Sequence, residues 1–285
     1  MFYRFGVFMF DIFSYLQDFC SQSPGLLMGI LNLTPDSFHD GGCYDRPAAA
    51  WEQLQRLQAD GAHIIDLGAM SSRPGHQEVS AEEEIARLAM LLEYPQEPLP
   101  LLSVDTDKPE VAAYALEHGV SIINDCSGLL QEDMFRLAAQ KQAPLIVMHR
   151  LGAEGQHTDV CAEVLSFFRE CLSFGKACGL SEKQFILDPG LGFNKSVAEN
   201  LQLMSALPEL AALQRPLLLG FSHKRFISAI SGEPAAQTPA GNLAAAVYSL
   251  LHGASILRMH DLALLGPLLR ASAALWGNER IELHG

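Results

Sequence analysis

The sequence predicts an α/β protein, a single (β/α)8 TIM barrel spanning residues 26–285 behind a lead-in of residues 1–25. Three observations predict it. Eight short apolar runs alternate with amphipathic helical patterns along the 285 residues, and a parallel barrel needs eight such units in roughly 250 residues. The runs are apolar throughout rather than alternating, as strands buried on both faces require. The turn after the first run reads NLTPDSF, where a doubly wound dinucleotide-binding sheet would carry a glycine-rich turn.

Each unit has its own signals. The first strand, Leu26–Leu33, leads to a helix with Asp45 as N-cap, Pro47 in its first turn and Trp51, Leu54 and Leu57 on one face. The second, His63–Leu67, precedes a helix opened by the capping box Ser80-Ala-Glu-Glu83. The third, Leu99–Val104, precedes a helix that Pro109 starts and Gly119 ends. The fourth is Val120–Ile123, with a helix near Glu132–Ala139, and the fifth is Pro144–Met148. A long helix follows it, with Val160, Val164, Phe168 and Cys171 on one stripe. The sixth, Phe185–Leu187, ends in the turn Asp188-Pro-Gly-Leu-Gly-Phe193, after which Ser196 and Glu199 form a second capping box. The seventh, Pro216–Gly220, and the eighth, Ala254–Leu257, precede helices starting at Thr238-Pro239 and ending near Trp276.

Composition sets bounds on function. Apolar residues are 49 % and charged residues 18 %, which describes an ordered globular chain. The formal charge of −14 argues against a nucleic-acid surface, so an anionic substrate must meet a local cluster of cations. The six cysteines (Cys20, Cys43, Cys126, Cys161, Cys171, Cys178) have no metal-ligand spacing and read as thiols of a reducing compartment. The amino-terminal apolar run is interrupted by Asp11 and lacks a small-residue cleavage site. No later run reaches the ~20 apolar residues of a membrane helix. A cytoplasmic protein is expected.

The chemistry stands at the strand ends: Asn32, Asp66, Asp105, Asn124, His149, Asp188, Ser222 with Lys224, and Arg258 with His260. In a barrel these positions converge on one mouth. Asp105, Asn124 and Asp188 suit a flat, nitrogen-rich heterocycle, because a carboxylate facing an amidine-like edge makes paired charge-assisted bonds. Lys224, Arg225, Arg258 and His260 follow strands 7 and 8, where barrels place phosphate sites. Asn32 offers an oxygen ligand to Mg²⁺, which binds substrate phosphates with few protein contacts. Asp66 reads equally as a brace of the barrel and His149 as a loop cap. His63, His118 and His252 read as structural, and Lys195 as solvent-facing. The glycines of DPGLGF alone are weak evidence, whereas Arg73 and Pro74 in SSRPG suit a closing loop.

The stretches MGILNLTPDSFHDGG, SSRPG, SVDTDKPEV, IINDCSG, VMH, DPGLGF, GFSHKRF and RMHD together resemble the dihydropteroate synthase family, in the family's order from Met28 to the last helix. The resemblance implies a TIM barrel and a homodimer. It also implies joining of 4-aminobenzoate to (7,8-dihydropterin-6-yl)methyl diphosphate in folate biosynthesis, with Mg²⁺ present. Carried over, Asp105, Asn124, Asp188 and Lys224 hold the pterin. Asn32, Ser72, Arg258 and His260 hold the diphosphate, with Asn32 at the metal. Ser72, Arg73, Pro74, Phe193 and Ser222 surround 4-aminobenzoate, and Arg73, Asp105, Lys224 and Arg258 carry the catalysis. The chain departs from the family at Met70 (usually Glu), Ser72 (usually Thr), His223, Arg150 and Asn194, mostly on the 4-aminobenzoate side, where sulfonamides compete. The alternatives are a catalytically silent pterin-binding paralogue and a methyltetrahydrofolate–corrinoid methyltransferase-like barrel. The latter has no need of Arg258 with His260 or of SSRPG.

Overall fold

The computed structural model describes residues 14–15, 24–34, 46–70, 79–94, 100–150, 159–222, 224–234 and 238–282. Eight parallel strands form one sheet in the order β6-β5-β4-β3-β2-β1-β8-β7. They are β1 (Leu26–Asn32), β2 (Ile64–Gly68), β3 (Leu101–Asp105), β4 (Ile122–Asp125), β5 (Leu145–Met148), β6 (Phe185–Asp188), β7 (Leu218–Gly220) and β8 (Ile256–Met259). A parallel bridge between Leu187 and Leu217 joins the two ends of this order and closes the barrel. Several strands begin one or two residues later than the apolar runs suggest and extend to include their polar terminal residue. The added residues, among them Asp105, Asn124 and Asp188, sit inside the ladder.

The helices between strands are α1 (Arg46–Ala59), α2 (Ala81–Leu92), α3 (Pro109–Glu117), α4 (Glu132–Lys141), α5 (Val160–Ala177), α6 (Val197–Ser205), α7 (Leu207–Ala211), α8 (Arg225–Ser231), α9 (Pro239–Leu251) and α10 (Leu265–Glu282). Two short helices, α7 and α8, have no counterpart in the sequence reading; each is too short to show a 3.6-residue period. The box at Ser196 is complete, each side chain bonding the other residue's backbone. At Ser80 only half forms, because the Glu83 carboxylate turns to Arg87 at 2.6 Å. The helix that Pro109 starts ends as expected, with Gly119 at φ 97° beyond it.

Two apolar layers follow from the period of two along each strand. Leu27, Ile65, Leu102, Ile123, Leu145, Phe185, Leu219 and Leu257 face the helices in one cluster. Leu26, Met28, Ile64, Ile122, Ile146, Ile186, Leu218 and Ile256 fill the barrel interior, with Tyr15 of the lead-in packed against them. The division of residues 1–25 from the barrel otherwise falls largely outside the described residues.

Candidate active site

Two residues beyond the interior layer the inward side chains change character. Ile64 gives way to Asp66, Ile122 to Asn124, Ile186 to Asp188 and Ile256 to Arg258. The same period that builds the apolar interior therefore delivers a polar layer above it. Arg258 on β8 reaches across the barrel: its Nε donates to Asp66 Oδ2 at 2.7 Å and its Nη2 to Asp105 Oδ2 at 2.6 Å. Asn124 on β4 donates its Nδ2 to the same Asp66 oxygen at 2.9 Å. Strands that are not neighbours can share a carboxylate only through the interior, so these bonds place all four side chains in the mouth. The Asp66 side chain is completely buried, and it braces the barrel while also orienting site residues.

That arrangement fixes hydrogen-bonding roles. With Nδ2 committed to Asp66, Asn124 presents Oδ1 as an acceptor, met here by the Cys126 thiol at 3.4 Å. Asp188 Oδ1 accepts from the Gly190 N–H at 2.7 Å. Burial raises the Asp188 carboxyl above the usual range, against the pull of Lys224 and Arg258. The Asp105 carboxyl is also raised, by burial and by the like charge of Asp66, with Arg258 opposing. Burial pushes Lys224 down to about 8, with Asp188 opposing and Arg258 assisting. Asp66 and Asp105 hold Arg258 in its charged form against burial. One guanidinium shared between two carboxylates leaves the carboxyl groups short of positive partners, so a ligand edge with N–H donors suits this layer.

Depth grades outward. Asp66, Asn124 and Asp188 are buried, Asp105, Arg258, Lys224 and Asn32 half-buried, and His260 exposed at the rim. Ser222 and His260 meet there, the His260 N–H donating to Ser222 Oγ at 2.9 Å. Lys224 Nζ lies 4.0 Å from the Phe193 ring centroid and the Arg150 guanidinium 5.9 Å from it. Asn32 ends β1 beside Gly68, where a Cβ would come 3.0 Å from Asn32 Oδ1, so the glycine keeps room for the carboxamide. The structure thus brings together Asn32, Asp105, Asn124, Asp188, Phe193, Ser222, Lys224, Arg258 and His260. Ser72, Arg73, Pro74 and His223 lie outside the described residues.

Lys195 corrects the sequence reading: it is buried, not solvent-facing, and donates to three backbone carbonyls. Glu84 was missed. Fully buried on α2, it accepts from Lys108 Nζ at 2.5 Å and Thr106 Oγ1 at 3.0 Å. Its one sequence signal is a third consecutive glutamate after a cap, of which only two can face water. The structural histidines behave as read: His63 Nδ1 accepts the Leu27 N–H, and His118 and His252 lie against carbonyls one turn back.

Fold and site together define a (β/α)8 barrel with a buried, charged layer at the carboxyl ends of its strands, where enzymes of this fold keep their active sites. A family model described as pterin binding enzyme matches residues 28–260. The dihydropteroate synthase of Synechocystis is 38 % identical over 259 residues, covering 88 % of this chain and 90 % of that one. A probable bifunctional folylpolyglutamate synthase/dihydropteroate synthase of Haloferax volcanii is 43 % identical over 244 residues, 82 % of this chain but 29 % of that longer protein. The Xanthomonas albilineans dihydropteroate synthase, solved with 4-aminobenzoic acid, superposes with TM-score 0.81 at 38 % identity, covering 90 % of this chain and 93 % of that one. Its complex with 7,8-dihydropteroate gives TM-score 0.77 at 36 % identity, covering 90 % and 94 %. The chain belongs to the dihydropteroate synthase family of pterin-binding enzymes.

Proposed function

We infer that this protein is a transferase that condenses (7,8-dihydropterin-6-yl)methyl diphosphate with 4-aminobenzoate, giving 7,8-dihydropteroate and diphosphate. The observation that carries it is the inward layer of Asp66, Arg258, Asp105 and Asn124, tied into one network above an apolar floor. The 2-aminopyrimidine edge of a pterin offers N–H donors to Asn124 Oδ1 and the Asp188 carboxylate, and Lys224 donates to an acceptor on the ring. The C–O bond to the diphosphate breaks, and the electron pair leaves with the phosphate. The methylene carbon's positive charge spreads into the dihydropterin ring, a state that Asp105 stabilises electrostatically. The arylamine nitrogen then forms the C–N bond and loses its proton. No covalent intermediate with the protein is needed.

By the family resemblance, Arg258, His260, Asn32 and Ser72 are assigned to the diphosphate, and Ser72, Arg73, Pro74, Phe193 and Ser222 to 4-aminobenzoate, with Arg73 given a part in keeping water from the reaction. Among the described residues no group of three His, Cys, Asp or Glu side chains could hold a metal. A lone carboxamide oxygen at Asn32 nevertheless fits Mg²⁺ arriving with the diphosphate, because that ion keeps water and phosphate ligands and needs one or two from protein. When bound, the ion neutralises charge on the departing diphosphate.

Exposed Ile230 on α8 and exposed Tyr248 and Leu251 on α9, two helices in contact, support a homodimer. No helix among the described residues is long and apolar enough to cross a membrane, and Cys126, Cys161, Cys171 and Cys178 are free thiols, which supports a cytoplasmic setting. The synthase reading is favoured over a silent paralogue by relatives and solved structures that match along nearly the whole chain. The test is release of diphosphate on mixing the dihydropterin diphosphate, 4-aminobenzoate and Mg²⁺. Pterin binding without turnover would overturn it.

A further inference from the structure

Lys195 is a buried cation that the reaction above does not use. Its side chain lies under the turn after β6, and the residue is 8 % exposed. The ammonium donates to the carbonyls of Gly190 at 2.8 Å, His149 at 3.2 Å and Phe193 at 3.4 Å. An ammonium carries three donors and no acceptor, so all three are accounted for by backbone from the ends of β5 and β6. Burial lowers its pKa to about 8, with Asp188 opposing. The turn it ties down is under close steric control. Gly190 has φ 65°, and a Cβ there would fall 1.9 Å from the His149 carbonyl oxygen. Asn200 fastens the same turn from α6: its Oδ1 accepts the Gly192 N–H at 2.7 Å, and its Nδ2 donates to the Lys195 carbonyl at 3.1 Å.

This turn points its tip at Lys224. A Cβ on Gly192 would lie 2.7 Å from Lys224 Cδ, and the Phe193 ring takes the Lys224 ammonium on its face. We propose that Lys195 is a positioning residue for the arylamine half of the reaction: by tying the Phe193 and Gly190 carbonyls to the end of β5, it sets where the Phe193 ring stands against Lys224. The proposal rests on the synthase reading. Asp105, Asn124 and Asp188 reach the pterin from the strands themselves, so the tie bears on the ring pocket only indirectly, through the Gly190 N–H that Asp188 accepts and through Lys224.

The experiment compares Lys195→Met, which keeps the stem and removes the donors, with Phe193→Leu and the double variant. Lys195→Met is expected to raise KM for 4-aminobenzoate about tenfold, as loss of charge-assisted bonds to a tip residue implies. Pterin affinity by calorimetry should stay within about threefold on the same scale, and the double variant should be no worse than Phe193→Leu alone. Hydrogen exchange across residues 189–195 should quicken in Lys195→Met whether or not the protein turns over, so an inactive wild type overturns the synthase reading while exchange still decides the tie. Asn200→Asp, which loses the donor to the Lys195 carbonyl, should give the same split in weaker form if Lys195→Met does not fold. Unchanged exchange, equal losses for both substrates, or additive effects in the double variant would overturn the proposal.

Discussion

Asp66→Asn is the sharpest probe of the network. The substitution keeps the shape of the side chain and one oxygen, but removes the charge that Arg258 Nε meets at 2.7 Å. Breaking a buried ion pair from one side costs roughly 3–5 kcal/mol. Arg258 keeps Asp105 at 2.6 Å and is not left without a counter-charge, so the lower end, about 3 kcal/mol, is expected. The second effect is on recognition. In wild type only Nδ2 of Asn124 can face Asp66, because a carboxylate accepts and cannot donate. An asparagine at 66 must keep its oxygen toward Arg258 Nε, which only donates, and Asn124 then meets a neutral acceptor in place of a charged one. Both side chains are held less firmly, and pterin affinity should fall by about tenfold. Urea unfolding measures the first loss and calorimetry with a pterin ligand the second. A variant with unchanged midpoint and unchanged affinity would refute the claim that Asp66 organises the mouth.

Lys224 folds with a pKa near 8 against an ordinary 10.5, so between those values the unfolded chain holds more protons and stability rises with pH. The rise should be absent below about pH 8 and smaller in Lys224→Met, as pH-dependent unfolding midpoints will show. Gly190→Ala sets a Cβ against the His149 carbonyl at a left-handed φ, and should lower soluble yield and the unfolding midpoint far more than Gly232→Ala, where φ is 72° but the space is open. Asn194 occupies φ 53°, so Asn194→Ala should cost about 1 kcal/mol by denaturant unfolding, while Asn194→Gly stays close to wild type. Diphosphate binding by calorimetry should tighten with Mg²⁺, and Asn32→Ala should lose that increment.

The barrel was legible because buried parallel strands write themselves as unbroken apolar runs, and the mouth because those runs stop at residues such as Asp105, Asn124 and Asp188. Strand limits were misplaced because a polar residue facing the interior of a barrel is still part of the ladder, and periodicity cannot tell it from the start of a loop. What stayed hidden depended on contacts between distant residues. Lys195 looks like any lysine after a turn; only the approach of the β5 end to the β6 turn gives its ammonium three carbonyls. Asp66, flanked by Ile65 and Leu67, has a local context that fits a brace or a site residue equally, and only Arg258, far along the chain, decides that it is both.

The departures from the family bear on the same distinction. Met70 stands where the family usually has glutamate. In the structure Met70 Sδ is 3.9 Å from Lys108 Nζ, and that ammonium pairs with the buried Glu84. Arg87 holds the Ala69 carbonyl at 2.6 Å, so the start of the second loop is fastened from α2. A fully buried glutamate without a cation would be strongly destabilising, and the half-buried Lys108 supplies that cation to Glu84 whatever occupies position 70. Asn194 follows the same logic: it replaces glycine in a left-handed conformation that asparagine tolerates better than other side chains. At Met70 the neighbouring Lys108 and Glu84 complete each other's pairing, and at Asn194 the side chain tolerates the left-handed backbone.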